Sequence, residues 1–107
     1  MVGSDVLDRV YAVIRKRARA RPEGSYVVKL LDGGLAAIGA KVREESAELL
    51  EAAAERDPAH VAHEAADLLF HVWVLLGAVD VEPARVYAEL EKRFGVGGLT
   101  EKASRGR

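Results

Sequence analysis

Residues 44–67 read EESAELLEAAAERDPAHVAHEAAD, and this stretch decides the fold. Within it, Asp57 followed by Pro58 is typical of a helix start, because an aspartate oxygen accepts from free backbone N–H groups and proline fits the first helical position. On each side of position 56, two carboxylates lie three residues apart and so share one helix face. Each of them also has a counterpart at the same distance on the other side of position 56. The mirrored pairs are Glu45 with Asp67, and Glu48 with Glu64. We therefore predict two helices that fold back as an antiparallel hairpin and bring four carboxylates face to face.

Carboxylates that face one another repel. Two unit charges about 4 Å apart repel by about 4 kcal/mol at an effective dielectric constant near 20, and several such pairs would rival the stability of a small domain. The repulsion can be relieved by proton uptake or by a divalent cation. Oxygen ligands without cysteine favour Mg²⁺ or Mn²⁺ over zinc, and bound Mg²⁺ commonly recruits substrate phosphates. The pattern therefore indicates a metal site for phosphate-ester or anhydride chemistry.

A run of acidic residues is more commonly a solvated helix face, and this interpretation competes with the metal site. Glu45 argues against it, because its position falls within an apolar stripe where solvation is poor. The stripe consists of Leu35, Ile38, Val42, Glu45, Leu49 and Ala52. Glu51 and Glu55 have no mirrored partners, and we interpret them as surface residues.

Helical patterns cover the rest of the chain and no convincing strand is found, so we predict an all-α fold. The predicted helices span about residues 5–19 (capped by Ser4), 35–55, 58–79 and 83–94 (ended by Gly95), with a short helical turn at 25–31. In the last helix, Val86, Leu90 and Phe94 are expected to face inward. The C-terminal half of the helix at 58–79 is apolar almost all round and must be covered on every side. We predict that homodimerisation covers it and completes a helical bundle.

Composition indicates one globular domain over residues 1–107, with residues 96–107 as a flexible C-terminal tail. The net charge of −1 gives no electrostatic reason to expect nucleic-acid binding. The absence of cysteine excludes disulfides and thiolate catalysis and fits a reducing cytoplasm. The longest apolar stretch, at 68–79, is too short to span a bilayer, and no signal-peptide pattern is found. We therefore expect a cytoplasmic protein without a membrane partner.

Histidines surround the second acidic pair. His71 follows Asp67 by four residues, so it shares a helix face with that carboxylate and is a candidate donor that orients it. The alternative is a core histidine that bonds a neighbouring carbonyl group. His60 and His63 are expected at the surface, and Trp73 is expected to pack in the core or at a dimer interface.

The acidic signature, EExxE at 44–48 and ExxD at 64–67, resembles the all-α nucleoside triphosphate pyrophosphatase superfamily, which includes the MazG-like and dimeric dUTPase-like enzymes. More specifically, the chain resembles the phosphoribosyl-ATP pyrophosphatase family of histidine biosynthesis. The segments that carry this resemblance are SYVVKLL at 25–31, IGAKVREE at 38–45, EAADLLFH at 64–71 and EKASR at 101–105.

The resemblance implies a homodimeric helical bundle that uses Mg²⁺ or Mn²⁺. It implies hydrolysis of phosphoribosyl-ATP to phosphoribosyl-AMP and pyrophosphate, the second step of histidine biosynthesis. The implied metal ligands are Glu45, Glu48, Glu64 and Asp67. Because they hold the catalytic metal, Glu45 and Glu48 are also assigned as catalytic residues. Glu44 is the third catalytic candidate, either as the residue that activates the attacking water or as a further metal ligand.

Cationic and hydroxyl side chains within the resembling segments are implied to bind the substrate phosphates. These residues are Ser25, Lys29, Lys41, Lys102, Ser104 and Arg105. We expect the tail that holds the last three to close over bound substrate. Two alternatives stay open: a house-cleaning pyrophosphatase that acts on damaged or excess nucleotides, and a non-catalytic helical dimerisation module whose acids are solvated.

Overall fold

Five α-helices account for most of the chain in a computed structural model that describes residue 3 and residues 5–94. The helices are α1 Val6–Ala20, α2 Tyr26–Asp32, α3 Gly34–Glu55, α4 Pro58–Ala78 and α5 Pro83–Phe94. No strand occurs among the described residues, so the all-α prediction is confirmed. The predicted cap at Ser4, the stop at Gly95 and the tail at 96–107 lie outside the described residues.

The connection between α3 and α4 consists of Arg56 and Asp57 alone. Arg56 adopts a left-handed conformation, with φ of 58°, which ends α3. An Asp57 carboxylate oxygen accepts hydrogen bonds from the backbone N–H groups of Ala59, at 3.2 Å, and His60, at 3.5 Å. The helix start predicted at Asp57 and Pro58 is therefore confirmed. Among the described helices, α3 and α4 pack against each other most extensively.

The start of α2 is fixed by its own first residues. The hydroxyl oxygen of Ser25 accepts from the backbone N–H of Val28 at 3.3 Å, which caps the helix. The segment predicted as a short helical turn is thus a helix of two turns. It packs against α1, α3 and α4, and its buried residues are Val27 and Leu30.

The core lies where α1, α2, α3 and α4 meet. Its buried members are Tyr11, Ile14, Val27, Leu30, Ile38, Trp73 and Val74. The indole N–H of Trp73 donates to the carbonyl oxygen of Leu7 at 3.1 Å, which ties α4 to α1. The prediction that Trp73 is a packing residue is confirmed, since 4% of it is exposed.

Helix α5 lies against α1. The hydroxyl group of Tyr87 donates to Asp8 on α1 at 2.8 Å, and Val86 and Tyr87 pack beside the core. The prediction that Leu90 and Phe94 face inward is wrong for the single chain, because these residues are 49% and 84% exposed.

Helix α4 is long and apolar enough to cross a membrane by length and composition, with a mean hydropathy of 1.3. The core helix of a water-soluble protein can have the same length and composition. Here α4 packs against α1, α2 and α3 and carries two buried polar side chains, Glu64 and His71. In the single chain, 22% of its apolar window is buried.

Candidate metal centre

Three carboxylates meet where α3 and α4 pack. One oxygen from each of Glu45, Glu48 and Glu64 lies within 4.8 Å of the other two. Glu45 and Glu48 share a face because they are three residues apart on α3, and Glu64 approaches from α4. Glu45 is 5% exposed and Glu64 is 8% exposed, so two of the three acids are buried. We call Glu45, Glu48 and Glu64 the carboxylate triad.

The triad is electrostatically unsatisfied. The Oε2 atoms of Glu45 and Glu64 are buried without a hydrogen-bond partner, which is costly for an acceptor in a low-dielectric site. The pKa of Glu48 is raised to about 7, first by its hydrogen bond to Glu45, then by burial and by the charges of Glu45 and Glu64. Orphaned hard oxygen atoms converging from two helices fit Mg²⁺ or Mn²⁺.

Asp67 lies beside the triad rather than within it. Its Oδ2 atom is 3.4 Å from Nε2 of His63, one turn earlier on α4. Together with Glu64, these two residues form a second group whose ligand atoms all lie within 4.8 Å. Glu64 therefore belongs to both groups. The four predicted metal ligands are neighbours, but they fall into two groups that share Glu64. The triad holds Glu45 and Glu48, and the second group holds Asp67.

His60 and His63, which we expected at the surface, both contact acids of the site. Nε2 of His60 is 3.4 Å from Oε1 of Glu64, and its Nδ1 is 3.4 Å from Glu55. His63 is more exposed than His60. Both contacts could have been predicted from the sequence, because each histidine precedes its acid by four residues on one helix.

Lys41 lies between the candidate water-activating residue and the triad. Its ammonium group donates to Oε2 of Glu44 at 2.7 Å and lies 3.5 Å from Oε1 of Glu45. The hydrogen bond from Lys41 lowers the pKa of Glu44, and the same bond raises the pKa of Lys41. Glu44 is therefore held as an ionised carboxylate at the edge of the site.

His71 is buried, with 5% of it exposed, and makes two short contacts. Its Nδ1 atom is 2.7 Å from the backbone carbonyl oxygen of Asp67, and a carbonyl can only accept, so Nδ1 is assigned the proton. In the neutral ring, Nε2 then accepts from the hydroxyl group of Tyr26 at 2.8 Å. His71 therefore bonds the main chain of Asp67 and not its carboxylate. This is the alternative in which a core histidine bonds a neighbouring carbonyl group.

The candidate phosphate-binding residues divide by position. Lys41 lies at the triad, whereas Ser25 and Lys29 line an open cavity of 630 Å³. Arg21 and Tyr26 also line this cavity, and neither was predicted as a site residue. An Arg21 nitrogen lies 2.7 Å from a carboxylate oxygen of Asp32, so this ion pair joins the end of α1 to the end of α2. The remaining predictions, Lys102, Ser104 and Arg105, lie outside the described residues.

The fold and the site together define a small all-α protein organised around a carboxylate cluster shared by two long helices. Residues 7–94 match the family described as phosphoribosyl-ATP pyrophosphohydrolase. The chain belongs to this family, which is the family its sequence resembles.

Curated relatives cover nearly the whole chain. A phosphoribosyl-ATP pyrophosphatase from Rhodopirellula baltica is 52% identical over 102 residues, which cover 92% of this chain and 85% of that protein. The protein of the same name from Geobacter sulfurreducens is 48% identical, with 94% of each chain covered. That from Novosphingobium aromaticivorans is also 48% identical, with 98% of each chain covered.

Proposed function

We propose that this chain hydrolyses phosphoribosyl-ATP to phosphoribosyl-AMP and pyrophosphate in histidine biosynthesis, with Mg²⁺ or Mn²⁺ as cofactor. The observation that carries the proposal is the carboxylate triad with its two orphaned buried oxygen atoms. It occurs in a chain of the matching family whose relatives bear the name of this activity.

The proposed metal ligands are the residues of the triad together with Asp67. Each supplies a hard oxygen donor, and the orphaned atoms of Glu45 and Glu64 are the acceptors that most need a cation. When bound, the ion neutralises charge on the triphosphate oxygens and on the departing pyrophosphate. The protein's part is to hold these donors in one place, with Glu45 and Glu64 anchored by burial on two separate helices.

Glu44 is our candidate for activating the attacking water. The water oxygen attacks the α-phosphorus, the bond from the α-phosphorus to the bridging oxygen breaks, and Glu44 takes the proton as pyrophosphate leaves. The hydrogen bond from Lys41 lowers the pKa of Glu44 and so weakens it as a base, and loss of that bond would return Glu44 to its ordinary basicity. Lys41, which now holds both Glu44 and Glu45, is placed to exchange one of them for a substrate phosphate oxygen.

The substrate carries a triphosphate and a further ribose phosphate, so it needs cationic partners in addition to the metal. We assign Lys41 to the part of the substrate at the triad, and Ser25 and Lys29 to the part in the neighbouring cavity. Lys102, Ser104 and Arg105 are proposed as further phosphate-binding residues that close over the substrate. A hydroxyl donor and ammonium groups match phosphate oxygens chemically.

The proposed assembly is a helical bundle completed by a second copy of the chain. The two-residue connection and the meeting of Glu48 with Glu64 across it support an antiparallel α3–α4 hairpin. Two apolar grooves, of 190 and 590 Å³, run between α1, α4 and α5 and support a homodimer interface there. The apolar residues that line these grooves include Leu7, Val10, Leu69, Phe70, Trp73 and Leu90. We expect this assembly in the cytoplasm.

A substrate panel tests the proposed activity. Purified protein with Mg²⁺ is given phosphoribosyl-ATP, ATP or dUTP, and released pyrophosphate is measured. We expect kcat/KM to be highest for phosphoribosyl-ATP and the activity to be lost in EDTA. A higher kcat/KM for a common nucleotide would favour a house-cleaning enzyme, and no release from any substrate would favour a non-catalytic module.

A further inference from the structure

A continuous chain of hydrogen bonds joins α2 to α4 beside the carboxylates. The hydroxyl group of Tyr26 bonds Nε2 of His71 at 2.8 Å, and Nδ1 of His71 bonds the carbonyl oxygen of Asp67 at 2.7 Å. His71 is buried, so the loss of either bond would leave a ring nitrogen without water to replace its partner. These contacts fix the direction of the Tyr26 hydroxyl group.

Ring contacts fix the rest of the Tyr26 side chain. The ring stacks on Phe70 with centroids 6.3 Å apart and an angle of 20° between planes, and it meets the edge of His71 at 5.7 Å. Tyr26 is nevertheless 44% exposed, because it also lines the 630 Å³ cavity with Ser25 and Lys29. The same side chain is therefore anchored on α4 and open to a ligand.

Tyr26 stands between the two parts of the candidate site. It is the first residue of α2, it directly follows Ser25, and Lys29 lies one helical turn further on. On its other side, its hydroxyl group bonds His71, which lies one turn after Asp67 on α4. The Tyr26–His71 bond thus ties the turn that holds Ser25 and Lys29 to the helix that carries Glu64 and Asp67.

We propose that Tyr26 and His71 are positioning residues for the pyrophosphohydrolase reaction, an inference that rests on the proposed function. Their hydrogen bond holds the first turn of α2, with Ser25 and Lys29, in register with the carboxylates of α3 and α4. Because small displacements of a bound substrate cost large factors in rate, a loosened turn lowers turnover without removing any group that touches the phosphates.

Two substitutions remove the same bond from opposite ends. Tyr26→Phe keeps the ring and its stack on Phe70 but lacks the hydroxyl group. His71→Asn keeps a side-chain N–H donor for the Asp67 carbonyl but lacks the atom that bonds Tyr26. We expect each variant to lower kcat/KM for phosphoribosyl-ATP by about tenfold, and the double variant to lower it by about tenfold rather than about 100-fold.

Tyr87→Phe is the matched control, because it removes a tyrosine hydrogen bond of the same 2.8 Å length, to Asp8. We expect it to leave kcat/KM unchanged. Circular dichroism and the melting temperature establish that each variant is folded. Titration with Mn²⁺ alone separates positioning from metal binding, and we expect the Mn²⁺ affinity of Tyr26→Phe to equal that of the wild type.

Full kcat/KM in a folded Tyr26→Phe variant would overturn the positioning role, and so would multiplicative losses in the double variant. A loss of Mn²⁺ affinity that matches the loss of activity would overturn it too, since the bond would then act on the metal ligands. An inactive wild-type protein would instead refute the proposed function, so the two failures can be told apart.

Discussion

Glu45 occupies a position that helix patterning assigns to an apolar side chain. It lies in the stripe that contains Ile38 and Ala52, both fully buried, and it is itself 5% exposed. Buried polar groups normally have hydrogen-bond partners, but one carboxylate oxygen of Glu45 is buried without one. Local conflicts of this kind are expected at functional sites, because stability is given up there for chemistry.

At the scale of single residues, Glu48→Gln is expected to abolish pyrophosphate release and leave the fold intact. Glutamine keeps the size of the side chain but removes the charge that would bind Mg²⁺. Metal stabilisation of the transition state is worth several kcal/mol, so we expect kcat/KM to fall by more than about 100-fold. Circular dichroism serves as the control for folding, and wild-type activity in this variant would refute the metal-site assignment.

The raised pKa of Glu48 predicts how stability depends on pH without metal. The folded-state pKa is about 7 and the ordinary value is 4.5, so between these values the native state binds more protons than the unfolded state. The contribution of Glu48 to stability is therefore fully present below the ordinary value and is lost as the pH rises through about 7. In EDTA, we expect the melting temperature to fall over this window.

Two comparisons test the origin of this pH dependence. Glu48→Gln should flatten the fall in melting temperature, because the titrating group is gone. Added Mg²⁺ should raise the wild-type melting temperature most at the alkaline end of the window, where the carboxylates are ionised and bind the cation. A melting temperature that rises with pH in EDTA would contradict the assignment.

At the scale of elements, the break between α2 and α3 depends on Gly34. Its φ of 72° is left-handed, a conformation that costs a residue with a Cβ atom about 1–2 kcal/mol. Gly34→Ala should therefore lower the free energy of unfolding by about 1 kcal/mol, measured by urea denaturation. Gly39→Ala is the matched control within α3.

Gly39→Ala should act in the opposite direction. Gly39 lies inside α3 with ordinary helical backbone, and an added Cβ atom would meet nothing closer than the Arg43 guanidinium group, at 4.0 Å. Alanine should therefore raise the free energy of unfolding by about 0.5–1 kcal/mol. Equal effects of both substitutions would mean that the left-handed backbone at Gly34 relaxes at no cost.

Elements with local causes could be predicted from the sequence, and so could the meeting of Glu48 with Glu64 across a two-residue turn. Contacts between elements without such a local cause could not. The start of α4 follows from Asp57 and Pro58, and the acidic groups follow from spacing along one helix. The bond between Tyr26 and His71 joins residues 45 positions apart, and no local pattern encodes it. The outward direction of Leu90 likewise depends on what α5 meets, which periodicity does not specify.

At the scale of the whole molecule, the single chain leaves much of its most apolar helix uncovered. In α4, 22% of the apolar window is buried, and Leu69 is 42% exposed next to Leu90 of α5. Exposed apolar residues that adjoin in one groove are typical of an interface, whereas isolated ones are normal on any surface. The core is therefore expected to continue into a second copy.

The homodimer predicts a mass of twice the 11.6 kDa of one chain in light scattering after size exclusion. Leu69→Glu places a charge in the groove between α1, α4 and α5, so we expect this variant to run as a monomer with a lower melting temperature. Leu50→Glu is the matched control, since Leu50 is 71% exposed on α3 and lines none of these grooves, and it should remain dimeric. A wild-type monomer at micromolar concentration would contradict the interface. If Leu50→Glu dissociated the dimer and Leu69→Glu did not, the interface would lie on α3 instead. The apolar groove would then play no part in assembly, and the exposure of Leu90 would have no explanation.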